Sequence, residues 1–237
     1  MNNDAQHRTF VLIHGAWYGA WVWREILPRL RALGYAATAP TLTGLGERRH
    51  IGNDSANLET HIEDVVAHIE AEDLRDVTLV GWSYGGMVIT GVLARVPERI
   101  KELIYLDAFM PDDGRAVVDY LTPEFVSAFK PFADEKRSKP PLPLSTLGVT
   151  DPRLVEFIEP RLGPQPWRTL FQPVKALKAR PDIPVSAIVC TEFSPSPLMA
   201  RLAELEADPT MRVIKLDAGH NCMLTNVNET VAALVGD

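Results

Sequence analysis

Short apolar runs alternate with helical patterns along most of the chain. Runs of hydrophobic, often β-branched residues predict strands at residues 9–14, 35–40, 77–80, 102–107, 185–190 and 211–216. Between them, apolar residues recur every three or four positions around residues 27–33, 58–69, 87–93, 198–205 and 227–235, which predicts helices. Strands that alternate with helices indicate an α/β fold, with a mostly parallel sheet and helices on both faces.

The alternation breaks between residues 111 and 180. This segment holds many of the chain's 19 prolines and shows only short helical patterns. A stretch of this length without strands predicts an insertion that covers one end of the sheet. We therefore expect a single domain over residues 1–237, with a small helical cap at about 111–180. A chain of 237 residues is long enough to bury a core without disulfides or a metal.

Composition argues against several classes of partner. The formal net charge of −7 disfavours a surface for nucleic acid or anionic membrane. No window approaches the ~20 apolar residues of a membrane span, and the N-terminal MNNDAQHRT lacks the apolar core of a signal peptide. We therefore expect a cytoplasmic protein with no membrane or nucleic-acid partner. The sequence leaves open whether the protein is a monomer or a homodimer.

The clearest chemical signal is VTLVGWSYGG at residues 77–86. Gly81 and Gly85 lie two residues either side of Ser83, between a predicted strand and a predicted helix. Strand, G-x-S-x-G, helix is the pattern of a nucleophile elbow, in which a tight turn exposes the serine hydroxyl. Glycines at both positions let the helix approach the strand without a side-chain collision. Ser83 is therefore the candidate nucleophile.

A serine hydroxyl needs a base, and His220 is the candidate among the six histidines. It follows the last predicted strand, and the base comes last in the chain order that accompanies such an elbow. His61 and His68 stand two turns apart on one predicted helix without the H-E-x-x-H spacing of a zinc site, so we expect no metal. His14 ends the first strand and is expected to be a packing residue.

Acyl transfer also needs donors for the negative charge that develops on the carbonyl oxygen. Backbone N–H groups can stabilise this oxyanion, and the residue after the nucleophile, Tyr84, is expected to supply one. The second is expected from the loop after the first strand, where Gly15 and Ala16 are small, and we choose Ala16. The expected substrate pocket is lined by residues beside catalytic positions: Gly15, Trp17, Trp82 and Phe193.

Several motifs together resemble one known superfamily. They are FVLIHGAWYGAWVW at 10–23, GWSYGG at 81–86, LDAFMP at 106–111, VCTE at 189–192, and the pair at 219–220. On these motifs the chain resembles the α/β-hydrolase superfamily over nearly its whole length. The similarity is to the branch of plant salicylate methyl esterases, hydroxynitrile lyases and related bacterial esterases. It implies an α/β-hydrolase fold and a small-molecule ester substrate.

The identity of the carboxylate that should orient His220 stays open. In that branch the VCTE run is followed by the triad aspartate, whereas this chain has Phe193. Asp107, at the end of the strand after the elbow helix, is the first candidate. Glu192 is the alternative acid, although strand alternation would point it away. The third alternative is that the site has no acid.

The resemblance also bears on the reaction. Hydroxynitrile lyases of this branch use a threonine in the first loop and a lysine after the histidine, where this chain has Gly15 and Asn221, so we expect no cyanohydrin cleavage. We predict a serine hydrolase that cleaves a bulky apolar or aromatic carboxylic ester through an acyl-enzyme, without cofactor or metal. The alternative is an altered α/β-hydrolase that binds a ligand or tailors a natural product without hydrolysis. Lactone, amide and thioester substrates stay open.

Overall fold

The computed structural model describes residues 8–51, 55–179, 182–193, 196 and 198–236. Within these ranges six strands form one sheet in the order β2-β1-β3-β4-β5-β6, and every neighbouring pair is parallel. The strands are β1 (Thr9–Ile13), β2 (Ala36–Thr38), β3 (Val77–Trp82), β4 (Ile100–Leu106), β5 (Val185–Cys190) and β6 (Met211–Leu216). The predicted parallel sheet is confirmed.

Nine α-helices are found in the described part of the chain. They are α1 (Ile26–Ala32), α2 (Leu58–Ala71), α3 (Gly85–Arg95), α4 (Pro123–Asp134), α5 (Pro152–Ile158), α6 (Arg168–Phe171), α7 (Leu202–Ala207), α8 (Cys222–Thr225) and α9 (Val227–Val235). Helix α1 packs against α9, and α2 packs against α3. Strands β2 and β3 lie on opposite sides of β1, so the connection from β1 to β2 and the connection from β2 to β3 run in opposite directions along the sheet. Right-handed crossovers therefore place α1 and α2 on opposite faces.

Several element ends differ from the sequence pattern by one or two residues, and two of the differences have a visible structural form. Strand β2 is shorter than the predicted 35–40, because the Tyr35 N–H donates to the Leu30 carbonyl at the end of α1 instead of joining the sheet. The predicted helix at 198–205 divides into a 3₁₀ turn, Met199–Arg201, followed by α7. No helix in the described ranges is long and apolar enough to cross a membrane.

The insertion between β4 and β5 contains α4, α5, α6 and several 3₁₀ turns, with no named strand among its described residues. Arg180, the last residue of the predicted cap, lies outside the described residues. The connection after β1 leads toward one edge of the sheet and the connection after β3 leads toward the other, so the loops after these two neighbouring strands diverge and leave a crevice at their carboxyl ends. The cap and this crevice hold the candidate site.

Candidate active site

Ser83 sits on a strained turn between β3 and α3. Its φ of 55° lies in the left-handed region that favours glycine, a cost that persists only where the surroundings enforce it. The turn is tight, because a Cβ at Gly81 would lie 2.6 Å from the Gly85 carbonyl oxygen and one at Gly85 would lie 2.7 Å from the Ile13 carbonyl oxygen. Only glycine fits at either position, so the two glycines fix the direction of the serine.

His220 and Asp107 are joined by a buried hydrogen bond. The His220 Nδ1 lies 2.6 Å from Asp107 Oδ2, and both side chains are almost inaccessible to solvent. The Asp107 backbone, like that of Ser83, is left-handed, with φ 44°. Its second oxygen, Oδ1, accepts from the Ser196 hydroxyl and from the Cys190 N–H at 3.4 Å. The carboxylate is therefore anchored on one oxygen and free to hold the imidazole with the other.

Aromatic rings hold the imidazole from other directions. The Phe193 ring stacks on His220 with centroids 4.5 Å apart, and the Trp82 ring lies 5.0 Å away. The Trp82 indole N–H also donates to the His220 carbonyl at 2.8 Å. These contacts fix both the ring and the backbone of His220.

The loop after β1 is organised by His14. Its Nδ1 lies 2.8 Å from the Gly15 carbonyl oxygen, and its Nε2 accepts from the Leu42 N–H at 3.1 Å. Burial lowers the pKa of His14 to about 3, so the ring is neutral, with its proton on Nδ1. Because a trans peptide points its C=O and N–H in opposite directions, this bond also orients the Ala16 N–H. His14 is a packing residue, as expected, and it also orients a peptide of this loop.

Tyr84 is anchored by a second buried histidine. The Tyr84 hydroxyl lies 2.9 Å from His61 Nδ1, and His61 Nε2 lies 2.8 Å from the Thr43 carbonyl oxygen. Since Nε2 donates to the carbonyl, Nδ1 accepts from the tyrosine. Burial lowers the pKa of His61 to about 4 and raises the pKa of Tyr84, so both are neutral near pH 7. Tyr84 is the N-cap of α3, where the first N–H groups lack partners within the helix.

A cavity of about 180 Å³ lies between the sheet and the cap, and both Ser83 and His220 line it. Most of the other lining residues are apolar or aromatic: Ala16, Trp17, Tyr84, Phe109, Val117, Tyr120, Leu121, Phe125, Phe129, Leu142, Leu147, Leu170 and Phe193. Thr122 and Thr146 complete the lining. A chamber of this kind favours an uncharged apolar ligand placed against the serine.

Some expected site residues lie elsewhere. Gly15 and Trp82 are not among the described residues that line the cavity, contrary to the prediction. Trp82 is fully buried against His220. A Cβ at Gly15 would lie 2.9 Å from the Trp82 ring, so both residues pack into the protein interior at this end of the sheet. The Glu192 side chain is exposed at the end of β5. Trp17 and Phe193 do line the cavity.

Sequence reasoning missed Ser196, which donates to Asp107 across 89 positions. No local motif marks it, because its role depends on a contact made only by the folded chain. A larger cavity of about 660 Å³ lies apart from Ser83, between α3 and α7. In the part of the chain that the structure describes, no group of three or more His, Cys, Asp or Glu side chains could hold a metal ion.

Comparison with known proteins gives consistent matches. Residues 10–234 match the model of the alpha/beta hydrolase family. A carbendazim hydrolyzing esterase from Nocardioides sp. (strain SG-4G) is 36% identical over 241 aligned residues, which cover 95% of this chain and 97% of that protein. Methylesterase 2 of Arabidopsis thaliana is 31% identical over 134 residues, 55% of this chain and 50% of that protein.

A solved structure is similar over nearly the whole chain. It is an extracellular alpha/beta-hydrolase from a Paenibacillus species, described as sharing structural and functional homology with tobacco salicylic acid binding protein 2. The two chains superimpose with a TM-score of 0.81 at 28% identity, covering 95% of this chain and 96% of the other.

Proposed function

The chain belongs to the alpha/beta hydrolase family, and from this premise we propose that it is a serine hydrolase that cleaves carboxylic esters through an acyl-enzyme. The observation that carries the proposal is the buried contact of 2.6 Å between His220 and Asp107, beside a cavity that Ser83 and His220 both line. The similarity to a carbendazim hydrolyzing esterase and to a methylesterase supports the same reaction.

In this mechanism Ser83 attacks the ester carbonyl while His220 takes the serine proton. With Nδ1–H directed at Asp107, the Nε2 of His220 is the nitrogen that accepts. His220 then gives the proton to the departing alcohol, which leaves an acyl group on Ser83. Water, deprotonated by the same histidine, attacks the acyl carbonyl, and collapse of the tetrahedral intermediate returns the proton to Ser83. Asp107 keeps the imidazole in this tautomer and stabilises the imidazolium that forms.

We assign stabilisation of the negative charge on each tetrahedral intermediate to the N–H groups of Ala16 and Tyr84. Both residues line the cavity beside Ser83. The Tyr84 N–H opens α3, so the positive end of the helix dipole adds to the stabilisation. Losing one preorganised donor of this kind typically costs about 2.7–4 kcal/mol of transition-state stabilisation.

The cavity supports an apolar or aromatic ester as the substrate. Its volume of about 180 Å³ lies below the range of about 300–1,000 Å³ of typical ligand pockets, which favours a single ring or a short chain on the acyl side. A binding protein without hydrolysis was the alternative because position 193 lacks the expected acid. The contact between Asp107 and His220 supports hydrolysis over that alternative.

A cytoplasmic location stays a prediction from the sequence, and the choice between a monomer and a homodimer stays open. Size-exclusion chromatography with light scattering measures the oligomeric state, and fractionation of the source cells measures the location. An extracellular relative makes the second measurement informative.

The first test compares hydrolysis of p-nitrophenyl butyrate by the wild type, by Ser83→Ala and by Ser145→Ala. Ser145 is exposed in the cap and serves as the matched serine control. We expect activity and labelling by a fluorophosphonate in the wild type and in Ser145→Ala, and neither in Ser83→Ala. Hydrolysis that survives in a folded Ser83→Ala protein would contradict the proposal.

A further inference from the structure

Trp17 follows the proposed oxyanion donor Ala16, and each of its polar groups contacts the cap. Its backbone N–H donates to Gln165 Oε1 at 2.9 Å, and its carbonyl accepts from the Gly163 N–H at 2.9 Å. Its indole N–H donates to the Lys139 carbonyl at 3.1 Å. The φ of Trp17 is 67°, which is unfavourable for a bulky residue and persists only where its surroundings enforce it. The cap provides that enforcement.

Gln165 is itself fixed within the cap. It is fully buried, and its backbone exchanges two hydrogen bonds of 2.8 Å with Lys139. Its Nε2 donates to Thr169 Oγ1 at 2.7 Å, and that hydroxyl donates to the Pro166 carbonyl at 2.6 Å. Because the amide nitrogen is used by Thr169, the amide oxygen is the atom directed at Trp17. The acceptor for the Trp17 N–H is therefore held in one orientation.

Ala16 lies between two anchored peptides. The peptide that carries its N–H is oriented by His14, through the Gly15 carbonyl. The peptide that carries its C=O is oriented by Gln165, through the Trp17 N–H. The first anchor comes from the sheet and the second from the cap. Release of either lets the Ala16 N–H rotate away from the position that the oxyanion occupies.

The same cap segment reaches the other proposed donor. The Thr169 side chain lies near the Tyr84 hydroxyl, which His61 holds. One short cap segment, residues 165–169, thus reaches both the residue after Ala16 and the side chain of Tyr84.

We propose that Gln165 is a positioning residue that couples docking of the cap to assembly of the oxyanion hole, by fixing the Trp17 peptide next to Ala16. This inference rests on the proposed function of the site. It assigns the cap a role in stabilising the transition state, in addition to forming the walls of the pocket.

The proposal makes a kinetic distinction. Gln165 is not among the described residues that line the cavity, so it does not contact a bound ester directly. Its loss should therefore weaken interactions that arise in the transition state and leave ground-state binding nearly unchanged. Such a loss lowers kcat and kcat/KM together and leaves KM in place.

The experiment uses Gln165→Met, which keeps the side-chain length and removes both polar contacts. Gln172→Met is the matched control, because Gln172 is a cap glutamine whose oxygen accepts from the Leu58 N–H at α2, away from the oxyanion loop. Three quantities are measured for each protein: kcat and KM on p-nitrophenyl butyrate, inhibition by phenylboronic acid, and inhibition by benzyl alcohol. Ser83 Oγ adds to the boron and passes its proton to His220, giving a tetrahedral anion that mimics the intermediate.

We expect Gln165→Met to lower kcat by about 10- to 100-fold, because displacement of an oxyanion donor by about 1 Å has effects of this size. Inhibition by the boronic acid should weaken by a similar factor. KM and inhibition by benzyl alcohol should stay within about twofold of the wild type, and Gln172→Met should match the wild type in all three measurements.

Two results would overturn the proposal: an unchanged kcat, or equal weakening of the boronic acid and benzyl alcohol, which would mean general loosening of the cap. A wild type without Ser83-dependent hydrolysis would instead refute the proposed function. If Gln165→Met does not fold, Thr169→Val decides the question, because it frees the Gln165 amide without touching Trp17. It should reproduce the same pattern with a smaller loss of kcat, and an unchanged kcat in Thr169→Val would refute the coupling.

Discussion

Three residues of the site have left-handed backbones although none is glycine. Trp17, Ser83 and Asp107 have φ values of 67°, 55° and 44°, and each lies just beyond the carboxyl end of a strand. Local propensity opposes this conformation, so tertiary contacts must hold each residue in place. The cap holds Trp17, the glycines of the elbow hold Ser83, and hydrogen bonds from β5 and the following loop hold Asp107.

The acid assignment predicts unequal effects of two conservative changes. Asp107→Asn should lower kcat by about 10⁴-fold, because an amide that donates to Nδ1 imposes the wrong tautomer on His220. Glu192→Gln should change kcat less than about twofold, since the side chain is exposed and the His220 Nδ1 is bonded to Asp107 instead. Steady-state kinetics on p-nitrophenyl butyrate measure both. The reverse ranking would assign the acid to Glu192.

The buried neutral histidines predict a loss of stability in mild acid. The pKa values of His14 and His61 are lowered to about 3 and about 4, so the unfolded chain binds protons that the folded protein does not. As pH falls below about 6.5, each histidine lowers the free energy of unfolding by up to about 1.4 kcal/mol per pH unit. This loss continues until the pH reaches the pKa of the folded state.

Urea unfolding of the wild type and of His61→Gln at pH 7.5, 6.0 and 5.0 measures this effect. The free energy of unfolding should depend less steeply on pH in His61→Gln, because up to one fewer proton is taken up on unfolding. His50→Gln is the control, since His50 is exposed, and it should keep the slope of the wild type. Equal slopes in the wild type and His61→Gln would show that His61 is protonated in the folded protein.

Local motifs and chain order were enough to make Ser83 and His220 the candidates that the structure places beside one cavity. Asp107 stayed one of three alternatives, because a strand-end carboxylate looks the same in sequence whether or not a histidine faces it. Ser196 and Gln165 could not be found, since each acts through one contact with a residue far along the chain. These residues are polar positions in loops, where no periodicity constrains the prediction.

At the scale of elements, the junction of β3, α3 and the loop after β4 depends on close backbone approach. A Cβ at Gly86 would lie 1.9 Å from the Phe109 carbonyl oxygen. The Phe109 N–H also donates to the Ser83 carbonyl at 3.0 Å, so this contact joins the elbow to the loop that begins at Asp107. Helix position and acid position are therefore set together.

Gly86→Ala should destabilise the protein by roughly 3 kcal/mol, because the clash is with backbone and no side chain can rotate away. Gly163→Ala is the control: a Cβ there meets no atom within 4 Å, and the change should stay within about 0.5 kcal/mol. Urea unfolding midpoints compare the two variants. An unchanged unfolding midpoint in Gly86→Ala would mean that the loop after β4 can move away from α3 without loss of stability.

The order and type of the main elements followed from hydrophobic periodicity because β1, β3 and β5 are buried along nearly their whole length and each long helix has an apolar face. The ends of the elements were predicted less accurately where hydrogen bonds, rather than the hydrophobic pattern, determine them. Tyr35 has the composition of a strand, yet its N–H closes the end of α1. The internal structure of the cap was not predicted, because its short helices depend on packing against the sheet.

At the scale of the whole molecule, the cap and the sheet enclose a small chamber, which predicts a preference for short acyl groups. For p-nitrophenyl esters, kcat/KM should fall from butyrate to octanoate in the wild type. Leu147 lines the chamber and is nearly buried, so Leu147→Ala should move the preference toward longer chains by about two methylene groups. Leu33→Ala, at an exposed position on the far end of α1, is the control and should keep the wild-type profile. An unchanged chain-length preference in Leu147→Ala would show that this chamber does not bind the acyl group.

The position of the proposed acid before the cap divides the catalytic groups along the chain. The proposed nucleophile, the proposed acid and both proposed oxyanion donors lie within the first 107 residues, whereas the proposed base follows β6. A break in the exposed segment at residues 135–137, just after α4, would leave these two sets on separate polypeptides, with the contact between Trp17 and Gln165 as part of their interface. Neither polypeptide alone would hold both Ser83 and His220. The architecture therefore suits fragment complementation, in which ester hydrolysis reports that two halves have met.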